Sequence, residues 1–222
     1  MIFQIDESTP YPTFPDPRAG DEDGLFAVGG DLSIDRLLLA YCHGIFPWYS
    51  FRDQPDILWY CPMQRFVIFP EEIHVSHSMR TLINKDQYSY SINEAFDDVI
   101  AQCSKLRIEQ DGAWLGDDMI KAYTELHRQG FASSVEVWDD ATGQLVGGLY
   151  GVTIGPVFIG ESMFSLVPSA SKLALIYLAR FMQRKGMKLI DCQLETPHLR
   201  SMGGRFISYD DYLKIINDDD ES

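Results

Sequence analysis

Apolar and polar positions along this chain switch between a helical period and a strand period, and the switches mark its elements. Residues 24–30, GLFAVGG, form an apolar stretch closed by two glycines. DLSIDRLLLAYCHG (31–44) repeats apolar residues at helical spacing, with Ser33 suited to the N-cap and Gly44 to the stop. In IFPWYS (45–50), Pro47 and Trp48 predict a tight loop. ILWYCP (57–62) and RFVIFP (65–70) are short apolar runs, each closed by a proline that suits a strand end. EEIHVSHSMRTLIN (71–84) predicts a strand passing into a helix, and Ile92 to Leu106 a second helix. DDMIKAYTELHRQG (117–130) predicts a third, capped by Asp117 and stopped by Gly130.

SSVEVWD (133–139) and QLVGGLYGVTI (144–154) read as strands joined by the turn DDATG, followed by PVFIGESMF (156–164). SASKLALIYLARFMQRKG (169–186) is a long helix, with Ser169 or Ser171 as cap and Gly186 as terminator. MKLIDCQL (187–194) reads as a buried strand and SYDDYLKIIND (208–218) as a last short helix. Strands, a long helix and a further strand predict an α+β fold with helices packed on a sheet. A boundary near residue 65 would separate a small N-terminal domain (1–65) from the main one (66–222).

The chain has 222 residues and is 45% hydrophobic, enough for one large core or a main domain beside a small one. No apolar run reaches eighteen residues, so no membrane span is expected. The opening MIFQIDESTPYPTFPDP lacks a basic n-region and carries Asp6 and Glu7, which points to a cytoplasmic protein; its prolines read as an extended lead-in. Cys42, Cys61, Cys103 and Cys192 have no CxxC spacing and are expected to be reduced thiols. A net charge of −15 opposes broad contact with nucleic acid. Part of that charge is peripheral, at 21–23 and 218–221, so a nucleic-acid function would use local basic patches and stacking.

Candidate chemistry concentrates in LIDCQLE (189–195). Strict alternation places Asp191, Gln193 and Glu195 on one face and Ile190, Cys192 and Leu194 on the other. A carboxylate and an amide in such an apolar strand fit either a face open to water or a substrate-orienting pair in a cleft. The same alternation turns Cys192 away from Asp191 and argues against a Cys192–His198 hydrolase. Glu161, in GESMFS, reads either as a surface turn residue or as a second site carboxylate. Gly147, Gly148, Gly151 and Gly160 mark bulges or close approaches in the neighbouring strands. Trp59 and Trp138 are expected in the core. Trp48 and Trp114 lie in turn-like surroundings, where an aromatic face can meet a nucleobase. Arg180, Arg184, Lys185 and Lys188 close the long helix and complement its dipole. His74 and His77 are not completed to a metal site, and neither a Walker loop nor a Rossmann fingerprint is present, so no cofactor is expected.

From Gly24 to Ile216 the chain resembles the leucyl/phenylalanyl-tRNA–protein transferases. The resemblance is carried in order by GLFAVGGDLS, GIFPWYS, VEVW with LVGGLYGV, FIGESMFS, ASK, and KLIDCQ with HLRSMGGRFI. It implies a small N-terminal α/β domain followed by a domain like the Gcn5-related N-acetyltransferases. It further implies transfer of Leu, Phe or Met from aminoacyl-tRNA to proteins with N-terminal Arg or Lys, marking them for degradation through the N-degron pathway. By the same resemblance Trp48 and Trp114 hold the terminal adenosine, Leu149 and Phe158 line the side-chain pocket, Asp191 and Gln193 are catalytic, and Glu161 supports them. In VSHSMRTLINKDQYSY (75–90), where the family carries several basic residues, this chain keeps Arg80 and Lys85 as candidate phosphate contacts. Ala113 precedes Trp114 where the family usually has threonine. A monomer is expected.

On this reading Asp191 would hold the incoming amine and relay its proton, Gln193 would fix the attack geometry, and Glu161 would add negative potential for a cationic acceptor. The rivals are a non-catalytic binder of charged tRNA or protein N-termini, and an acetyl-CoA-dependent acetyltransferase. The latter needs a pyrophosphate loop, and its nearest candidate, RSMGGR (200–205), ends in Arg205 where Gly or Ala is required.

Overall fold

The computed structural model describes residues 2–6, 12–50, 54–109 and 116–217. The first part forms β1 (Phe3–Ile5), β2 (Leu25–Gly29), α1 (Ile34–Cys42), β3 (Phe46–Ser50) and β4 (Gln54–Tyr60). Its four strands make one sheet in the order β1-β2-β4-β3. Trp59 of β4 is fully buried, and its indole N–H donates to the Gly29 carbonyl at 2.8 Å. Trp48 is not on a loop as expected: it sits in β3 opposite Leu58. Pro47 is compatible with that strand because β3 is an edge, where a missing N–H breaks no second ladder.

The second sheet takes β5 (Gln64–Ile68), β6 (Tyr88–Ile92), β7 (Ala132–Asp139), β8 (Gln144–Ile154), β9 (Val157–Ser165), β10 (Leu189–Gln193) and β11 (Arg205–Ser208). Their order is β11-β5-β10-β9-β8-β7-β6. A cut at residue 65 would fall inside β5. The helices are α2 (His77–Asn84), α3 (Phe96–Glu109), α4 (Asp117–Arg128), α5 (Ala170–Arg184), α6 (Pro197–Ser201) and α7 (Tyr209–Ile216). All recorded pairings in this sheet are antiparallel except β9 with β10, and α5 supplies the crossover that a parallel pair requires. The α+β class expected from the sequence is present, with a small four-stranded sheet ahead of a larger seven-stranded one.

Two expectations change. Helix was predicted from Ile92, but Tyr88–Ile92 is the edge strand β6, Asn93 turns at φ 62°, and α3 starts at Phe96. The alternating YSYSI is a strand pattern, and pairing with β7 fixes it. The strand expected at the start of residues 71–84 does not form; a 3₁₀ turn at Pro70–Glu72 leads to the cap Ser76, whose hydroxyl accepts from the Met79 N–H.

The large sheet buries both faces. On one, α5 packs Leu173, Ile176 and Met182 against Phe66, Ile68, Leu149, Phe158 and Ile190. Gly147 allows this approach, since a Cβ there would lie 2.5 Å from Ala170 Cβ. On the other face Tyr123, Tyr150, Ile159 and Tyr212 share a core with Phe26, Leu37, Tyr41 and Trp59 of the first part.

Candidate active site

Two irregularities in neighbouring strands build the site. In β9, Gly151 pairs with Gly160 and Tyr150 with Ser162, leaving Glu161 as the extra residue of a β-bulge. In β10, Asp191 pairs with Val67 and Gln193 with Phe66, leaving Cys192 as the extra residue. Gln193 itself takes φ 61°, in the left-handed region that a non-glycine residue adopts at a cost of about 1–2 kcal/mol. Bulges re-aim side chains. Here they do so at the point where the recorded β9/β10 pairing ends, at Ile159 and Asp191.

Past that point the strands line a cavity of about 510 Å³. Leu149, Phe158, Leu175, Leu178 and Ile190 form apolar wall, and Glu161, Ser162, Asp191, Gln193, Thr196 and His198 supply the polar groups. The strand β3 completes the lining with Phe46, Pro47 and Trp48. Trp48 is 39% exposed, its ring tilted against Tyr60 at 5.6 Å between centroids. Six residues singled out from the sequence, Trp48, Leu149, Phe158, Glu161, Asp191 and Gln193, therefore meet around one cavity. Trp114 lies outside the described residues. Arg80 and Lys85 are exposed at α2, away from the lining.

Asp191 has no exposed surface. Its carboxylate is forked by Arg65: Nε lies 2.9 Å from both oxygens and Nη2 2.8 Å from Oδ2, while Oδ1 also accepts the Gln193 N–H at 2.8 Å. The group expected to hold an amine is thus engaged by Arg65 and by the backbone of the β10 bulge. Arg65 is also fully buried; burial works against its charge, but its surroundings, Asp191 foremost and Tyr212 with it, together raise its pKa.

Glu161 is 9% exposed and belongs to a second polar cluster. Its Oε1 lies 2.7 Å from the Tyr41 hydroxyl and its Oε2 2.9 Å from that of Tyr123, and the two phenol oxygens are 2.5 Å apart. The phenols bring two protons to three contacts, so all three are hydrogen bonds only when Glu161 carries a proton. Burial pushes its pKa in the same direction, up to about 7, against the phenol hydrogen bonds that lower it. Gln193 Nε2 donates to Oε1 at 3.4 Å, so the bulge in β10 touches the bulge in β9. Glu161 is neither in a turn nor at the surface.

Cys192 lines the cavity with Ile190 and Leu194 of its own alternation set, and the bulge brings Gln193 of the other set to the same cavity. It remains a poor nucleophile for a different reason: burial, then the Asp191 charge, push its thiol pKa well up, and its Sγ meets the Ile190 carbonyl at 3.9 Å. RSMGGR does not form a phosphate cradle. A Cβ on Gly204 would lie 2.3 Å from the Phe66 ring, so this glycine serves packing. Arg65, Tyr41 and Tyr123 were missed from sequence. Arg65 begins an apolar strand and the tyrosines sit in ordinary helical patterns, so only the fold shows them converging.

Two family models match the chain: leucyl/phenylalanyl-tRNA protein transferase over residues 67–217, and the N-terminal domain of that transferase over 30–63. The chain belongs to the leucyl/phenylalanyl-tRNA–protein transferase family. It is thereby an aminoacyltransferase. The transferase of this name from Nitrosomonas eutropha is 47% identical over 216 residues, covering 97% of this chain and 90% of its own. That from Syntrophobacter fumaroxidans is 48% identical, covering 97% and 89%, and that from Pseudomonas fluorescens 50% identical, covering 90% and 89%. Among solved structures, L-PGS from Bacillus licheniformis superimposes at TM-score 0.43 with 12% identity, over 78% of this chain and 54% of its own. A probable acetyltransferase does so at 0.36 with 14% identity, over 46% and 74%. Family membership rests on the sequence matches.

Proposed function

We propose that this protein moves Leu, Phe or Met from aminoacyl-tRNA to the N-terminal Arg or Lys of acceptor proteins, marking them for N-degron-dependent degradation, and that it acts as a monomer. The observation that carries this reading is one cavity joining an apolar wall, an exposed tryptophan and the Glu161–Gln193 pair. Leu149 and Phe158 receive the amino-acid side chain. Each methylene changes such binding by only about 1–3 kcal/mol, which suits a relaxed choice among the three donors. Trp48 offers its face to the terminal adenosine, a contact worth about 1–3 kcal/mol per base. Arg80 and Lys85 meet phosphates of the tRNA body.

The bond to be cut is an activated ester and the nucleophile a free α-amine. With a pKa of about 7.7–8.0, about a tenth or more of that amine is neutral at pH 7, so positioning supplies much of the rate. Gln193 orients the attack, and Asp191 fixes Gln193. Glu161 faces the acceptor end of the cavity, where its ionised form favours a cationic residue and its protons exchange with the two phenols. Residues 1–65 contribute Trp48 and Tyr41 to this site.

The test is transfer of labelled leucine from charged tRNA to a peptide beginning with Arg, beside the same peptide acetylated at its amine. Label on the free peptide alone is expected. Label on neither, with folded protein and intact charged tRNA, would favour a binding protein.

A further inference from the structure

We infer that Arg65 is a positioning residue of the transfer reaction, a clamp that holds Asp191 and the Gln193 bulge in one geometry. The inference rests on the proposed transferase activity and adds a residue to it.

Three observations converge on this side chain. First, its fork takes both oxygens of Asp191 with Nε and Nη2, and Asp191 Oδ1 in turn accepts the Gln193 N–H. That N–H belongs to the residue at φ 61°, so the carboxylate stabilises a backbone turn that the chain disfavours by itself. The turn brings Gln193 to the cavity and within 3.4 Å of Glu161. Second, the guanidinium lies over two rings, with Cζ 4.9 Å from the centroids of both Phe46 and Tyr212. Phe46 begins β3 and lines the cavity two residues before Trp48. Third, Arg65 and Asp191 are both fully buried, an arrangement whose desolvation cost makes it weak as a device for stability alone. One planar group thus touches the strand that carries Gln193 and the strand that carries Trp48.

Lysine could keep the charge but not the fork or the stacking. The Arg65→Lys variant should therefore fold and still bind an amide-linked leucyl-adenosine, which fills the cavity but has no ester to break. Its Kd is expected within threefold of wild type, while kcat for leucine transfer falls about 100-fold, the scale of an ångström's misplacement of reacting groups. A kcat within threefold of wild type overturns the clamp. So does a loss of analogue binding as large as the loss of kcat, because that is the mark of a merely structural residue. Should Arg65→Lys fail to fold, Tyr212→Leu leaves both charges in place and removes one of the two rings. At least a tenfold loss of kcat with unchanged analogue Kd is then expected, and no loss overturns the clamp. A wild-type protein that transfers nothing overturns both the transferase reading and the clamp, whereas an unimpaired variant beside an active wild type overturns the clamp alone.

Discussion

At Glu161 the chain places a carboxyl group where two phenols already compete for protons, and the cost of burying its charge raises its pKa from 4.5 to about 7. The folded state then binds this proton more tightly than the unfolded state does. The stability so gained is complete below about pH 4.5 and is lost as pH rises through about 7. A shift of that size corresponds to roughly 3 kcal/mol. Glu161→Gln has no proton to lose, so thermal melts of both proteins at pH 5 and pH 8 should diverge. Between those values the wild type should lose several degrees of Tm more than the variant. Parallel losses would mean that Glu161 is ionised throughout. Whether Glu161 belonged to a surface turn or to a site could not be decided from GESMFS, because its partners Tyr41 and Tyr123 are 120 and 38 residues away.

At the scale of elements, the bulged strands are the working parts. Gly151 stands directly before the β9 bulge in the pairing, and a Cβ there would lie 2.1 Å from the Ile159 carbonyl oxygen and 2.7 Å from the Phe158 ring. Gly151→Ala should cost about 1–3 kcal/mol, the usual range for overpacking, measured as a fall in urea midpoint. Because Phe158 lines the cavity, discrimination between leucine and phenylalanine donors should change with it. The glycines of β8 were readable as close approaches, since a missing side chain is a local fact. The facing of β10 was not. Alternation sorts residues correctly only while a strand is regular, and the extra residue at Cys192 brings Gln193 to the same cavity as Cys192. Likewise Trp48 looked like a loop residue because Pro47 is a poor partner in a sheet interior, and its edge position becomes known only with the sheet order.

For the molecule as a whole, the net charge of −15 limits how the proposed tRNA substrate is held. With Arg80 and Lys85 as the phosphate contacts, log affinity for charged tRNA should fall against log salt with a slope of about −2, at about 0.9 per phosphate. Filter binding across a salt series measures it, and a slope of about −4 or steeper would reveal a further basic surface. On the proposed reading, recognition leans on the cavity and the Trp48 face more than on long-range attraction.

The sequence by itself determined the α+β class and most of the helices and strands, because periodicity and caps are written in consecutive positions, and its resemblance to a family named the six residues that meet around the cavity. The tertiary structure decided the rest: that Asp191 is held by Arg65, that Glu161 shares protons with Tyr41 and Tyr123, and that two bulges turn Glu161 and Gln193 toward each other. These depend on strand register and on burial. Both are set by which distant surfaces exclude water together, and no local window of the chain contains that information.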